Sequence, residues 1–221
     1  KEKDLGRVMA KAIAEEIGPD AKGEVVAGIC IPGLDVLEVR VVGFKEILKE
    51  MSPQVEVLGP FDVTFDRAQN FQIWQELLRA YPDALAYVGF CENDLPNLVR
   101  IKESDPQAKY LIASIGINPD GLKGIKDGIA FAAVGQKPFM QGYVAMRAMV
   151  QDLATGVPVP RGWIDVGPEL VTAKNVDEVM AREESLAEGY EQTKSYYQPE
   201  IDVIFQDLES AVRSFGDYIG E

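Results

Sequence analysis

Histidine is absent from the 221 residues. That removes the side chain most often used as general base, triad member and metal ligand. Cysteine occurs twice, too few for a structural zinc site on thiolates alone. Basic charge is short as well: 22 Lys and Arg stand against 36 Asp and Glu, a formal charge of -14. A surface of that sign repels phosphate backbones, so nucleic acid is not an expected partner. No apolar run approaches the roughly 18 residues of a membrane span, and the opening KEKDLGRV does not compose a signal peptide. GICIPG carries neither the GxGxxG of a dinucleotide fold nor the GK[ST] of a phosphate loop. Repeats and low-complexity tracts are missing too. These absences point away from catalysis, and no catalytic residue, cofactor or metal is expected.

What is present is a chain long enough to bury about 70% of its unfolded surface if it forms one domain. Asp4 caps an expected helix in which Leu5, Val8, Met9, Ala12, Ile13 and Ile17 follow a 3.6 period, with Gly18 as its stop. Apolar runs at VVAGIC, Val55 to Leu58, AYVGFC, YLIASI and IAFAAV read as buried strands. Helical spacing lies between them, at Leu37 to Met51, Phe71 to Tyr81, Leu95 to Lys102 and Pro119 to Lys126. Continuous apolar strands alternating with helices predict an α/β fold, a doubly wound, mainly parallel sheet of five to six strands in the order 2-1-3-4-5.

The rhythm changes after Gln136. A helix from about Phe139 to Leu153 leads into TGVPVPRG and the extended WIDVGPELVT, and from Asn175 the sequence is helical and polar. Expected boundaries are a lobe over 4–135, a connecting segment over 136–174 and a helical tail over 175–221. Pro199 suits the first turn of the last helix, whose apolar residues Ile201, Phe205, Leu208, Val212, Phe215 and Ile219 step by four and three. That seam is expected to pack on the rest of the chain. Cys30 and Cys91 end the first and third strands, neighbours in the expected order. Two buried thiols are favoured over a bridge, because disulfide geometry is demanding.

Five short signals stand where strands hand over to helices, the place where open α/β sheets hold ligands. They are RVVGF at Arg40 to Phe44, TFDRA at Thr64 to Ala68, END at Glu92 to Asp94, GIN at Gly116 to Asn118, and KDGIAFAAVGQKP at Lys126 to Pro138. In this order they resemble the second lobe of ribose-binding-type periplasmic solute-binding proteins, and are similar to the sensor domains of lactose-repressor-type regulators. The likeness runs from about residue 4 to 176. It implies a two-lobed clamp that grips a sugar or polyol between its lobes and delivers it to the membrane subunits of an ABC-type uptake system, at a periplasmic or extracellular surface. It also implies a first lobe of about a hundred residues ahead of Lys1, which makes this sequence a fragment or truncated relative. The regulator reading is the alternative, opposed by the acidic charge and by the lack of a helix-turn-helix segment before residue 4.

The resemblance carries six candidate ligand residues: Arg40, Phe65, Asn93, Asp94, Asn118 and Gln136. Each also has an ordinary structural reading. A guanidinium at Arg40 matches sugar oxygens, or makes an ion pair. Phe65 offers an aromatic face for a sugar ring, or packs in the core, and Phe61 competes for the same task. Asn93 is expected to contact ligand, and Asp94 to cap the next helix and touch ligand as well. Asn118 stands where aldose-binding members carry Asp, so the substrate is expected to differ from a simple aldose. It also suits an Asn-Pro turn. Gln136 spans the lobes, or spaces the hinge. Pro96 and Asn97 depart from the small residues common after such a triplet. Half a clamp is expected to bind in the millimolar range or worse, and its exposed lobe face is a candidate for self-association.

Overall fold

The computed structural model describes residues 2–159, 161–188 and 190–214, apart from the side chains of residues 185–188 and 192. Five strand and helix pairs come first: α1 (Glu2–Ile17) and β1 (Gly23–Ile29), α2 (Asp35–Met51) and β2 (Val55–Asp62), α3 (Arg67–Ala80) and β3 (Ala86–Gly89), α4 (Asp94–Glu103) and β4 (Leu111–Ile115), α5 (Pro119–Lys126) and β5 (Ala132–Gly135). Then follow α6 (Pro138–Thr155), β6 (Trp163–Ile164), β7 (Glu169–Val171), α7 (Val176–Glu188), α8 (Tyr190–Gln206), α9 (Leu208–Ala211) and β8 (Val212–Arg213). None of the described helices is long and apolar enough to cross a membrane.

The main sheet runs β2-β1-β3-β4-β5-β7, the expected order with one strand added. Pairings among the first five are parallel, and β7 joins β5 antiparallel, Gly135 opposite Glu169. Alternating strand residues feed two cores. Val25, Ala27 and Ile29 face the α1 and α2 side with Val88, Ile115 and Val134, while Val26, Tyr87 and Ile112 face Trp74, Leu98 and Ile125 of α3, α4 and α5. A strand apolar on both faces is what two helical layers require, which is why the strands read as unbroken apolar runs. Gly6 of α1 lets that helix lie against α2, because a Cβ there would fall 1.8 Å from the Arg40 carbonyl oxygen. This close approach brings Glu2 beside the Arg40 side chain.

The chain forms two compact units, Glu2–Gln136 with Pro168–Met180, and Lys137–Gly167 with the described residues from Ala181 onward. The cuts follow packing: β7 belongs to the main sheet, while α6 and α8 share a third, separate core of Met140, Val144, Tyr197 and Ile201. Phe139 stacks on Tyr197 at 5.7 Å and Arg147 lies 4.1 Å over Phe205. In this unit β6 pairs with β8.

The tail corrects the sequence reading. Pro199 lies inside α8, ten residues into the helix, instead of starting one. The apolar seam stops at Gln206, since Asp207 caps the short α9 by accepting from Ser210 N and Val212 is extended. Burial of Tyr197 and Ile201 on either side of the proline outweighs the lost backbone donor. Phe215 and Ile219 lie outside the described residues.

Candidate functional site

All five parallel strands end on one edge: Phe65 follows β2, Asn93 and Asp94 follow β3, Asn118 follows β4 and Gln136 follows β5, while Arg40 lies inside α2 and not at a strand end. The order 2-1-3 places the topological switch between β1 and β3, where open α/β sheets leave a crevice. Cys30 and Cys91 close that point as a disulfide, with Cα atoms 6.1 Å apart. This overturns the expectation of two thiols: the strands are hydrogen-bonded neighbours with Gly28 opposite Gly89, so the residues two positions further on, Cys30 and Cys91, stand at bridging distance. Such a bond persists in oxidising compartments.

The loop 90–94 after β3 is the hub. Arg40 is 8% exposed. It donates from Nη1 to the Phe90 carbonyl at 3.0 Å, and from Nε to Glu2 at 2.6 Å. Asn93, half-buried, donates from Nδ2 to the Phe65 carbonyl at 3.0 Å. Asn118 donates to the Glu92 carbonyl and accepts from Gly121 N, both at 2.8 Å, so its amide caps α5 and fastens the hub together. Arg40, Phe65 and Asn118 therefore meet at one five-residue loop that itself contains Asn93 and Asp94. Gln136 is half-buried one residue beyond β5, on the same sheet edge.

Phe61 and Phe65 separate clearly. Phe61 is still in β2 and packs against Tyr81, ring centres 5.6 Å apart. Phe65 lies past the strand and is 62% exposed. Thr64 before it adopts φ 54, an uncommon conformation for a β-branched residue, of the kind that collects at functional loops.

Asp94 departs from its expected role. It is fully buried. Oδ1 accepts from Asn70 Nδ2 at 2.8 Å and Trp74 Nε1 at 3.0 Å, and Oδ2 accepts from Cys91 N at 2.9 Å. It neither caps α4 nor faces the rim. Burial raises its pKa to about 6, against the pull of those three N–H donors. Asn97 continues the network, donating to Asn70 Oδ1 at 2.7 Å and to the Arg67 carbonyl at 2.9 Å. Asn70 also reaches the Val63 carbonyl at 3.0 Å and the Thr64 carbonyl at 3.2 Å. Asp94, Asn70, Asn97 and Trp74 thus hold the Phe65 loop from below. The sequence reading missed Asn70 and Trp74, and the unusual Asn97 was its one hint. Among the described residues no group of three or more His, Cys, Asp or Glu could hold a metal.

The sequence profile described as "Periplasmic binding protein domain" matches residues 1–156. The ribose import binding protein of Salmonella typhimurium is 30% identical over 135 residues, 60% of this chain and 44% of that protein. Its Escherichia coli counterpart shows the same identity and coverage. The chain thus spans less than half the length of these relatives. A solute-binding protein of an ABC transporter from Agrobacterium vitis, solved with bound D-fucose, superposes with a TM-score of 0.71 at 25% identity, over 82% of this chain and 61% of that one. Another from Burkholderia graminis, in complex with D-arabinose, gives 0.70 at 24% identity, over 79% and 61%.

Proposed function

We propose a function from one premise: the chain belongs to the periplasmic binding protein domain family. Its first compact unit is one lobe of a clamp that binds a sugar or polyol, without transforming it, for an ABC-type uptake system. The observation that carries this reading is the hub itself, where Arg40, Phe65, Asn93 and Asn118 meet around residues 90–94. An exposed aromatic ring beside fixed amides offers an apolar face and polar groups together, the combination a sugar ring needs. Gln136 joins them at the β5 end, and Asp94 supports the loop from beneath. The relatives named above are an import binding protein and sugar-bound solute-binding proteins, which favours transport over the regulator alternative. The Cys30–Cys91 bridge supports a location outside the reducing cytoplasm.

The second unit fits one part of such a clamp. On α6 and just beyond it, Met146, Met149, Val150, Leu153 and Val157 are 58–85% exposed. They recur at helical spacing on a face without charge. This face is the seat of the clamp portion that the partial match to the relatives leaves uncovered. The lobe alone therefore lacks half of its ligand contacts, and millimolar affinity or weaker follows.

Amide and side-chain NMR of the chain, titrated with pentoses, hexoses and polyols, tests the reading. Shifts should concentrate at residues 64–66, 90–94 and 116–118. Shifts elsewhere alone, or none at the solubility limit of the sugars, would remove the site. Submicromolar binding by this chain would contradict the half-clamp.

A further inference from the structure

The charged groups at the rim are unevenly paired, and the charge left over has one sign. Arg40 is ion-paired with Glu2 at 2.6 Å, and Arg67 with Asp120 at 2.9 Å. Asn118 has both ends of its amide engaged within the lobe, and Asn93 has its donor end engaged. Two acceptors at the hub have no partner among the described residues, the Asn93 Oδ1 and the exposed carboxylate of Glu92, and Glu92 is the exposed charge there that stands outside an ion pair. Both accept and neither donates.

Glu92 is held in place from two sides. Its carbonyl takes the Asn118 amide. Its Cα and Cβ lie 2.8 and 2.9 Å from where a Cβ on Gly116 would stand, and Gly116 has φ 119. A side chain at 116 would displace the Glu92 backbone, so the bare glycine is what lets this carboxylate sit between the β3 and β4 ends. From this we infer that Glu92 is a specificity-determining residue that selects the charge of the ligand: it favours a neutral polyol, and still more an amine-bearing one, over sugar acids and sugar phosphates. Hydroxyl and ammonium groups donate to the free acceptors. An anion would meet Glu92 with no unpaired cation at the hub to offset it.

The inference rests on the sugar-binding reading above, and the experiment separates the two. The intact chain is titrated by NMR with D-glucose, with D-glucosamine at a pH where its amine is protonated, and with D-glucose 6-phosphate. The expected order of affinity is amine, neutral, phosphate. The amine should gain about two- to fivefold over glucose, the range of an exposed ion pair, and the gain should shrink as salt rises. Glu92→Gln should remove the gain of the amine over glucose. Glu50→Gln, the same loss of charge at the far end of α2, should leave the order intact and so separate Glu92 from the acidity of the chain as a whole. Equal binding of all three by the wild type, or an unchanged order in Glu92→Gln, overturns the charge selection and leaves sugar binding standing. No binding of any of the three removes the sugar-binding reading, and this inference with it.

Discussion

The two compact units solve the burial problem differently. In the lobe every long strand is covered on both faces, its two cores are continuous across the sheet, and even its buried carboxylate is surrounded by donors. Among the described residues of the unit containing α6, four buried residues and their aromatic neighbours form one small core on one side of the helix, while the opposite side shows Leu153 at 85% exposure. One unit is complete by itself and the other is finished on one face. Under the proposed function, the rim of the lobe would meet a small polar ligand and the exposed face of α6 an apolar surface.

Reduction of the disulfide should give the largest difference between the units. Cys30 and Cys91 are 61 residues apart, and opening a loop of that length is expected to cost about 4 kcal/mol of stability. All of that cost should fall on the lobe. Calorimetry with and without reductant should show one transition falling steeply and the other unmoved. Equal shifts in both, or a single transition, would mean that the units do not melt separately.

Asp94 comes next. Its pKa of about 6 lies above the ordinary 3.8 because burial favours the neutral carboxyl. For a carboxyl raised in the folded state, the stabilising contribution is full below the unfolded value and is lost as pH rises through the folded one. The lobe should therefore lose up to about 3 kcal/mol between pH 4 and 6.5 relative to an Asp94→Asn variant. A carbon-detected titration of the Asp94 side chain supplies the direct check, with a midpoint near 6 expected. A midpoint at 4 or below would mean that the donors from Asn70, Trp74 and Cys91 outweigh burial.

The same contrast explains what the sequence disclosed. Strand order was legible because continuous apolar runs such as AYVGFC fit only a sheet covered on both faces, and the βα junctions then placed Phe65, Asn93, Asn118 and Gln136 on one edge, whereas Arg40 lies inside α2 and reaches that edge through its side chain. Contacts across long separations were not legible. Asp94 reads as a helix cap from its neighbours, and only Asn70 and Trp74, from another helix, draw it inside. Two Phe-Asp pairs look alike in GPFDVTFD, yet Phe61 is held in the strand by Tyr81 and Phe65 is released by the turn at Thr64. Pro199 reads as a helix start because its local preference is strong, but the burial of Tyr197 and Ile201 prevails over it. Strand adjacency brought Cys30 and Cys91 near each other in the sequence reading, and the bond itself needed the register.

The smallest effect on stability is expected at the α6 face, and that smallness is informative. If Met149 and Leu153 belong to a surface awaiting a partner, Met149→Glu with Leu153→Glu should change the stability of the second unit by no more than about 0.5 kcal/mol, as for other surface positions. The same double variant should abolish binding of a hydrophobic dye and any concentration-dependent dimer seen by light scattering. Were these residues part of a finished core, two charges there would cost several kcal/mol, well above the 2–5 kcal/mol typical of truncating one buried Leu or Met. Unchanged folding with lost association would mark the face as an interface. Unchanged folding with unchanged association would leave α6 apolar for a reason other than contact, and the contrast between the units would then concern only the size of their cores.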